Sequence, residues 1–199
     1  MGYDVLTTCF VARWSQLSLI ASGASRNGHT SDLSSSKVLV AYFSRSGNTS
    51  VVAGLIQRSQ SGDLFEIRPA TAYPDDYLET VEQARRETAA GFEPALDQVI
   101  PYVERHDVLF LGFPIWGQTA PPVIRTFLSA HNLSGKRVAP FITHGGYGLG
   151  DSLDVLVLHA PGAHVVEGFV MEGEQEKKTM EKVHGWLDRF ASPSHEIGI

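Results

Sequence analysis

From Lys37 onward apolar and polar positions alternate in blocks that change period. Val38-Leu39-Val40-Ala41-Tyr42-Phe43 is a continuous apolar run, and after it Val51, Val52, Leu55 and Ile56 recur at helical spacing until Gly62. Asp63-Leu64-Phe65-Glu66-Ile67 alternates with a period of two, as a strand does. Pro74-Asp75 opens a second helix with Asp75 as its expected cap. Tyr77, Leu78, Val81, Ala84, Arg85 and Thr88 form its stripe, Glu82 pairs with Arg86, and Gly91 is its end. Phe92 to His106 carries no period that assigns it. Val108-Leu109-Phe110-Leu111 reads as a strand buried on both faces. Pro121-Pro122 starts a helix whose buried side is Val123, Ile124, Phe127 and Leu128, and Gly135 closes the connection to a strand over Val138 to Thr143. Leu153, Leu156 and Val157 predict a short helix face, Val165 to Met171 an uninterrupted fifth strand with a bulge at Gly168, and Met180, Val183, Trp186, Leu187 and Phe190 a last helix. Five strand–helix units imply an α/β fold: a doubly wound, three-layer parallel sheet with right-handed crossovers.

Composition narrows the partners. The chain has 199 residues, 43 % of them apolar and 19 % charged, which suits one α/β domain. A net charge of −6, a pI near 5.7 and the lack of a long Lys/Arg cluster argue against a nucleic-acid partner on electrostatic grounds. Cys9 is the one cysteine, which excludes an internal disulfide and any multi-cysteine metal or iron–sulfur centre. The histidines lack ligand spacing, so no metal site is expected. Residues 1–36 differ from the rest: the apolar stretch Val5 to Ala24 is broken by Arg13, Ser15 and Gln16, too often for a membrane span. Ser22 to Ser36 holds six serines and two glycines, the composition of a disordered connector. The expected organisation is an extension over 1–36, a domain over 37–191 and a tail over 192–199. The expected location is cytoplasmic, with export as the alternative if residues 1–24 act as a signal.

Three loops follow strands one, three and four, where such sheets bind ligands. Ser44-Arg45-Ser46-Gly47-Asn48-Thr49 joins a strand to a helix. It would aim free backbone N–H groups, hydroxyls and the positive end of the helix dipole at one anion, with Gly47 supplying backbone freedom and Arg45 charge. The plainer alternative is a turn whose serines only cap the helix. The second loop contains Pro114, Ile115, Trp116 and Gly117, and the third Thr143, His144, Gly145, Gly146, Tyr147 and Gly148. Glycines there let the backbone approach a flat heteroaromatic ring on which Trp116 and Tyr147 could stack. Neither loop contains an acid, the nearest being Asp151.

Tyr42 to Thr49, Tyr73-Pro74, Pro114-Ile115-Trp116, Ala120-Pro121-Pro122 and Thr143-His144-Gly145-Gly146 together resemble the bacterial flavodoxin family, over about residues 37 to 190. The resemblance implies strand order 2-1-3-4-5, the short-chain type, and FMN as cofactor. By the same resemblance Ser44 to Thr49 would hold the phosphate, while Pro114 to Gly117 and Thr143 to Gly148 would frame the isoalloxazine. Gly117 departs from the pattern, in which a second tryptophan often follows the first. A response-regulator receiver would need acids after strand one, and a low-molecular-weight phosphatase a cysteine in the phosphate loop; neither is present. His144 is the candidate proton donor to reduced flavin. Two functions stay open: an electron carrier between a reductase and an acceptor protein, and an FMN-dependent NAD(P)H:acceptor oxidoreductase. The lack of a second G-x-G-x-x-G element favours the carrier.

Overall fold

The computed structural model describes residues 37–146, 148–173 and 176–191. The expectations for the extension 1–36, for the tail 192–199 and for Tyr147 fall outside the described residues. The elements are β1 (Val38–Tyr42), α1 (Asn48–Gln60), β2 (Asp63–Glu66), α2 (Tyr77–Ala90), β3 (Val108–Pro114), α3 (Pro122–Ala130), β4 (Arg137–His144), α4 (Ser152–His159), β5 (His164–Val165), β6 (Phe169–Glu172) and α5 (Glu176–Ala191). A short 3₁₀ turn, Val103–Arg105, precedes β3.

The sheet has the order β2-β1-β3-β4-β5, all pairs parallel, with β6 also on β4. The order is the expected one, but the fifth strand is not continuous. β5 pairs with Arg137 and Val138, and β6 with Phe141 to His144, so Val166, Glu167 and Gly168 oppose only Ala139 and Pro140. The cause lies in β4: Pro140 has no N–H to give a neighbour, and the extra residue bulges the strand past it. Gly168 is pressed so close that a Cβ there would lie 2.5 Å from the Pro140 carbonyl oxygen.

Alternate residues of the central strands fill two separate cores. Leu39, Ala41, Leu109, Leu111 and Ile142 pack with Ile124, Phe127 and Leu156 of α3 and α4. Val40, Phe110, Ala139 and Phe141 pack on the other face with Val52 and Ile56 of α1 and Val183, Trp186 and Leu187 of α5. A strand covered on both faces needs apolar residues at every position, hence the unbroken runs at β1 and β3.

Two helices are rotated relative to the pattern. In α2 the cap is Asp76, not Asp75, and its side chain accepts the Glu79 N–H at 3.0 Å. Small Thr80 and Ala84 face inward, Ala84 as expected, while Tyr77 and Leu78 are about two-thirds exposed (66 % and 69 %) and Val81 is exposed as well. The surface ion pair is Arg85 with Glu82 rather than Glu82 with Arg86. In α4 the buried residues are Ser152, Val155 and Leu156, while Val157 faces out. The left-handed residue ending α1 is Ser61, one before Gly62. The unassigned connector bridges Pro69 at Leu96 and buries Ile100 and Val103. Among the described residues no helix is long and apolar enough to cross a membrane.

Candidate functional site at the carboxyl edge of the sheet

The chain leaves β1 for β2 on one side and returns to β3 on the other, so the strand order reverses beside β1. The loops after β1, β3 and β4 therefore emerge side by side. In the first, Gly47 is the N-cap of α1 at φ 94° and no side chain caps it. The bonds of the first turn begin with Ser50, whose N–H donates to Ser44 Oγ (3.3 Å), and Val51, whose N–H donates to the Gly47 carbonyl (3.1 Å). Among the described residues, the N–H groups of Asn48 and Thr49 meet no protein acceptor. They point from the positive end of a 13-residue helix. Ser44 does part of what a capping residue does, from upstream, and the exposed Ser46 hydroxyl stays outside it.

Two of the residues expected to touch a phosphate also have partners within the chain. Thr49 is 1 % exposed, and its hydroxyl shares a hydrogen bond of 2.9 Å with Thr143 Oγ1 at the end of β4. It pins the first loop to the third. Arg45 donates from Nη2 to the Asp75 carbonyl (2.7 Å) and lies 5.9 Å over the Tyr77 ring, so it braces the loop that leads into α2.

The second loop turns sharply. Trp116 and Thr119 exchange both backbone hydrogen bonds (3.0 and 3.2 Å), and Gly117 and Gln118 between them have φ of 56° and 69°. Two successive positive φ values are what a type I′ turn requires. This turn takes the place of a second tryptophan after Trp116. The half-buried Trp116 ring meets Tyr73 edge to face at 4.8 Å and Phe43 at 5.2 Å. Tyr73 donates its hydroxyl to Glu87 Oε2 (3.0 Å); burial first, then the Glu87 carboxylate, pushes its pKa far above the usual phenol value. Pro114 ends β3, and Ile115 N–H donates to the Thr143 carbonyl at 2.8 Å.

The third loop is stitched to the second. Asp151 N–H donates to the Gln118 carbonyl (3.0 Å), and a Cβ on Gly150 would lie 1.7 Å from that oxygen. Gly145 and Gly148 have open space where a Cβ would be, as does Gly117. His144 closes β4, and its Nδ1 accepts the Gly146 N–H at 3.0 Å. The bulged last strand adds an acid that the sequence pattern did not attach to this site. Glu172 is in register with His144, and its Oε1 lies 3.3 Å from where a Cβ on Gly146 would be. The two loops contain no acid of their own, and β6 brings a carboxylate to the third loop from outside it. The missed signal was the pairing, since Glu172 is 28 residues downstream of His144. Among the described residues no three His, Cys, Asp or Glu side chains form a metal cluster.

Comparison with known proteins places this arrangement. The flavodoxin family model matches residues 37–190. Among solved structures, the chain is similar to a Bacteroides eggerthii protein described as a flavoprotein, with 35 % identity over 79 % of this chain and 99 % of that one and a TM-score of 0.67. A Bacteroides uniformis protein described in the same way shares 29 % identity over 77 % of this chain and 98 % of that one, with a TM-score of 0.67. The fold also matches that of a Lactobacillus acidophilus flavoprotein determined in complex with FMN, at 22 % identity over 74 % of this chain and 99 % of that one, TM-score 0.62. No curated protein matches the sequence. With its strand order, its three convergent loops and a family match across nearly the whole described domain, the chain belongs to the flavodoxin family.

Proposed function

We propose that the chain binds FMN at the carboxyl edge of the sheet and serves as a small electron carrier between a reductase and an acceptor protein. The observation that carries this reading is the convergence of three loops that leave backbone N–H groups and glycine surfaces open. The donor set fits the cofactor: the free N–H groups of Asn48 and Thr49 and the Ser46 hydroxyl suit a dianionic phosphate at a helix N-terminus. Gly117, Gly145 and Gly148 leave room for a flat ring between the second and third loops. Thr49 and Thr143 hold the two halves of the site together rather than touching the phosphate with their hydroxyls. FMN, when bound, supplies the redox chemistry; the protein supplies binding, orientation and electrostatics. The exposed second and third loops favour the carrier, because electrons can pass to a protein that docks against them without a buried substrate pocket.

Purified chain titrated into FMN should quench its fluorescence and turn yellow, and riboflavin, which lacks the phosphate, should bind much more weakly. A chain that leaves FMN fluorescence unchanged would remove the proposal. To separate carrier from enzyme, the loaded protein is mixed with NADH or NADPH alone. The carrier stays oxidised for minutes until a flavoprotein reductase is added, whereas rapid direct bleaching selects the oxidoreductase.

A further inference from the structure

α2 turns small Thr80 and Ala84 to the core, so its large apolar residues are left on the outside. Tyr77, Leu78 and Val81, at positions i, i+1 and i+4, share that outer side and are all exposed. Pro74, Leu78, Glu79 and Glu82 line a groove there, with Gln83 and Arg86 further along the helix. The patch starts at the candidate site, because Pro74 follows Tyr73, whose ring meets Trp116 at 4.8 Å. Its border is acidic: Asp75, Asp76, Glu79 and Glu82 are exposed, and no Lys or Arg lies between Asp75 and Glu82. Little of that charge is neutralised. Glu82 pairs with Arg85, whereas among the described residues the carboxylates of Asp75, Asp76 and Glu79 meet no cation. Arg45 takes the Asp75 carbonyl, not its carboxylate, and lies over the Tyr77 ring. Exposed apolar side chains in contact with one another add nothing to the core; with a polar rim they have the layout of a protein–protein contact. Charge selects the occupant. Two copies of this chain, each with a net charge of −6, repel on approach, while a face with lysines and arginines around an apolar centre is drawn to the acids.

We infer that the outer side of α2 is the docking face for a basic redox protein, one whose lysines and arginines ring an apolar contact. Tyr77, Leu78 and Val81 form the centre, and Asp75, Asp76 and Glu79 steer the approach and set the orientation. Docking there places the partner beside the loop that carries Trp116. That the partner is a redox protein rests on the proposed function; its basic rim and apolar centre rest on α2 alone.

The probe is cytochrome c, a basic haem protein, added at low salt to ¹⁵N-labelled full-length chain with FMN supplied. Amide signals of residues 77–82 should shift most, and those of the 3₁₀ turn Val103–Arg105 least. Glu79→Lys should raise the cytochrome c dissociation constant about tenfold and flatten its salt dependence. Glu104→Lys makes the same change in net charge at an exposed position on the amino edge, and should raise it only about twofold. Tyr77→Ser and Leu78→Ser together should raise it about threefold to tenfold and keep the salt dependence of wild type. All of these variants should keep the urea midpoint of wild type, since the substituted side chains are exposed. Equal losses in Glu79→Lys and Glu104→Lys overturn the docking face, as do amide shifts confined to the second and third loops or no shift at all. A different occupant overturns it too. A dimer in sedimentation equilibrium that the double variant dissociates gives the face to a second copy, and nuclear Overhauser contacts from Tyr77 or Leu78 to residues 1–36 give it to the chain's own N-terminal segment. FMN fluorescence is read in parallel. A chain that binds cytochrome c on α2 but does not bind FMN would sink the proposed function and leave the docking face standing.

Discussion

The two edges of the sheet treat their backbone in opposite ways. Where the strands begin, side chains close it off. Lys136 Nζ, though buried, donates to the His106 carbonyl (2.5 Å), the Lys37 N–H reaches Asp107 Oδ2 (3.1 Å), and His106 pairs with Asp63 (2.9 Å). His131 uses both ring nitrogens, one with the Phe127 carbonyl (2.7 Å) and one accepting the Ile100 N–H (3.0 Å). Where the strands end, the polar side chains tie loops to one another, as Thr49 does with Thr143, and the N–H groups of Asn48 and Thr49 are left without a protein partner among the described residues. An unpaired backbone donor carries a cost unless water or a ligand takes it. Polar residues occur at both edges, so their number does not mark the site; what marks it is the backbone they leave unsatisfied.

The sharpest way to break the carboxyl edge is Gly150→Ala. The new Cβ would lie 1.7 Å from the Gln118 carbonyl oxygen, and the residue would be held at φ 55°. Overpacking of this kind costs about 1 to 3 kcal/mol and a left-handed non-glycine about 1 to 2 more. We expect a loss of roughly 3 kcal/mol in urea unfolding together with loss of FMN binding, because the second and third loops separate. A variant as stable as wild type would mean that the two loops are not clamped at this point.

Thr49→Val is the next in size. It keeps shape and removes the 2.9 Å hydroxyl pair, leaving Thr143 Oγ1 buried and unpaired, for about 1 to 2 kcal/mol of stability. Ser46→Ala, at an exposed position, should cost FMN affinity on the order of tenfold with stability unchanged. The pair separates pinning from binding: if Ser46→Ala lowers stability and Thr49→Val does not, the two roles are reversed.

Most of the fold was legible because a sheet covered on both faces writes itself as unbroken apolar runs, and β1 and β3 stand at Val38 and Val108, where those runs begin. Elements with one exposed face were less legible. In α2 the apolar residues Tyr77, Leu78 and Val81 lie outside the buried face, which small Thr80 and Ala84 form, only Ala84 of these two belonging to the expected stripe. The split of the last strand depends on Pro140 in a neighbouring strand, a cause outside the segment it interrupts. At the site, the three loops could be found from their glycines and their place after strands. The engagement of Thr49 with Thr143, of Arg45 with Asp75, and the arrival of Glu172 beside His144 are products of tertiary pairing, which no local pattern encodes.

The amino edge supplies the control. Lys136→Met keeps the aliphatic stem but withdraws the donor from the His106 carbonyl, and should cost about 1 kcal/mol. FMN affinity should not change, because the substitution is at the opposite end of β4 from His144. An affinity loss comparable to that of Ser46→Ala would show that the two edges are coupled through the strand and that the contrast between them is not functional.

The smallest effect expected is also the one that tests whether a side chain at the carboxyl edge can be tied off as fully as those at the amino edge. Tyr73 lies under Trp116, and its hydroxyl donates to Glu87, whose other oxygen accepts from Gln83 Nε2 at 2.8 Å. Burial, with the Glu87 charge behind it, raises the phenol pKa above its ordinary value of 10.0. In the unfolded chain the phenol ionises as pH rises through about 10, whereas the folded chain keeps the proton. Above that pH the unfolded state therefore binds fewer protons than the folded one, and stability falls as pH rises. The contribution is fully present below pH 10 and is progressively lost above it. Tyr73→Phe removes the titrating group along with the Glu87 bond, so the variant should be slightly less stable at neutral pH, and its stability should decline less steeply than that of wild type above pH 10. Urea midpoints measured at neutral pH and at two pH values above 10 give both slopes. Parallel lines for the two proteins would mean that Tyr73 ionises as freely in the folded state as in the unfolded one, and that the packing under Trp116 is open to water.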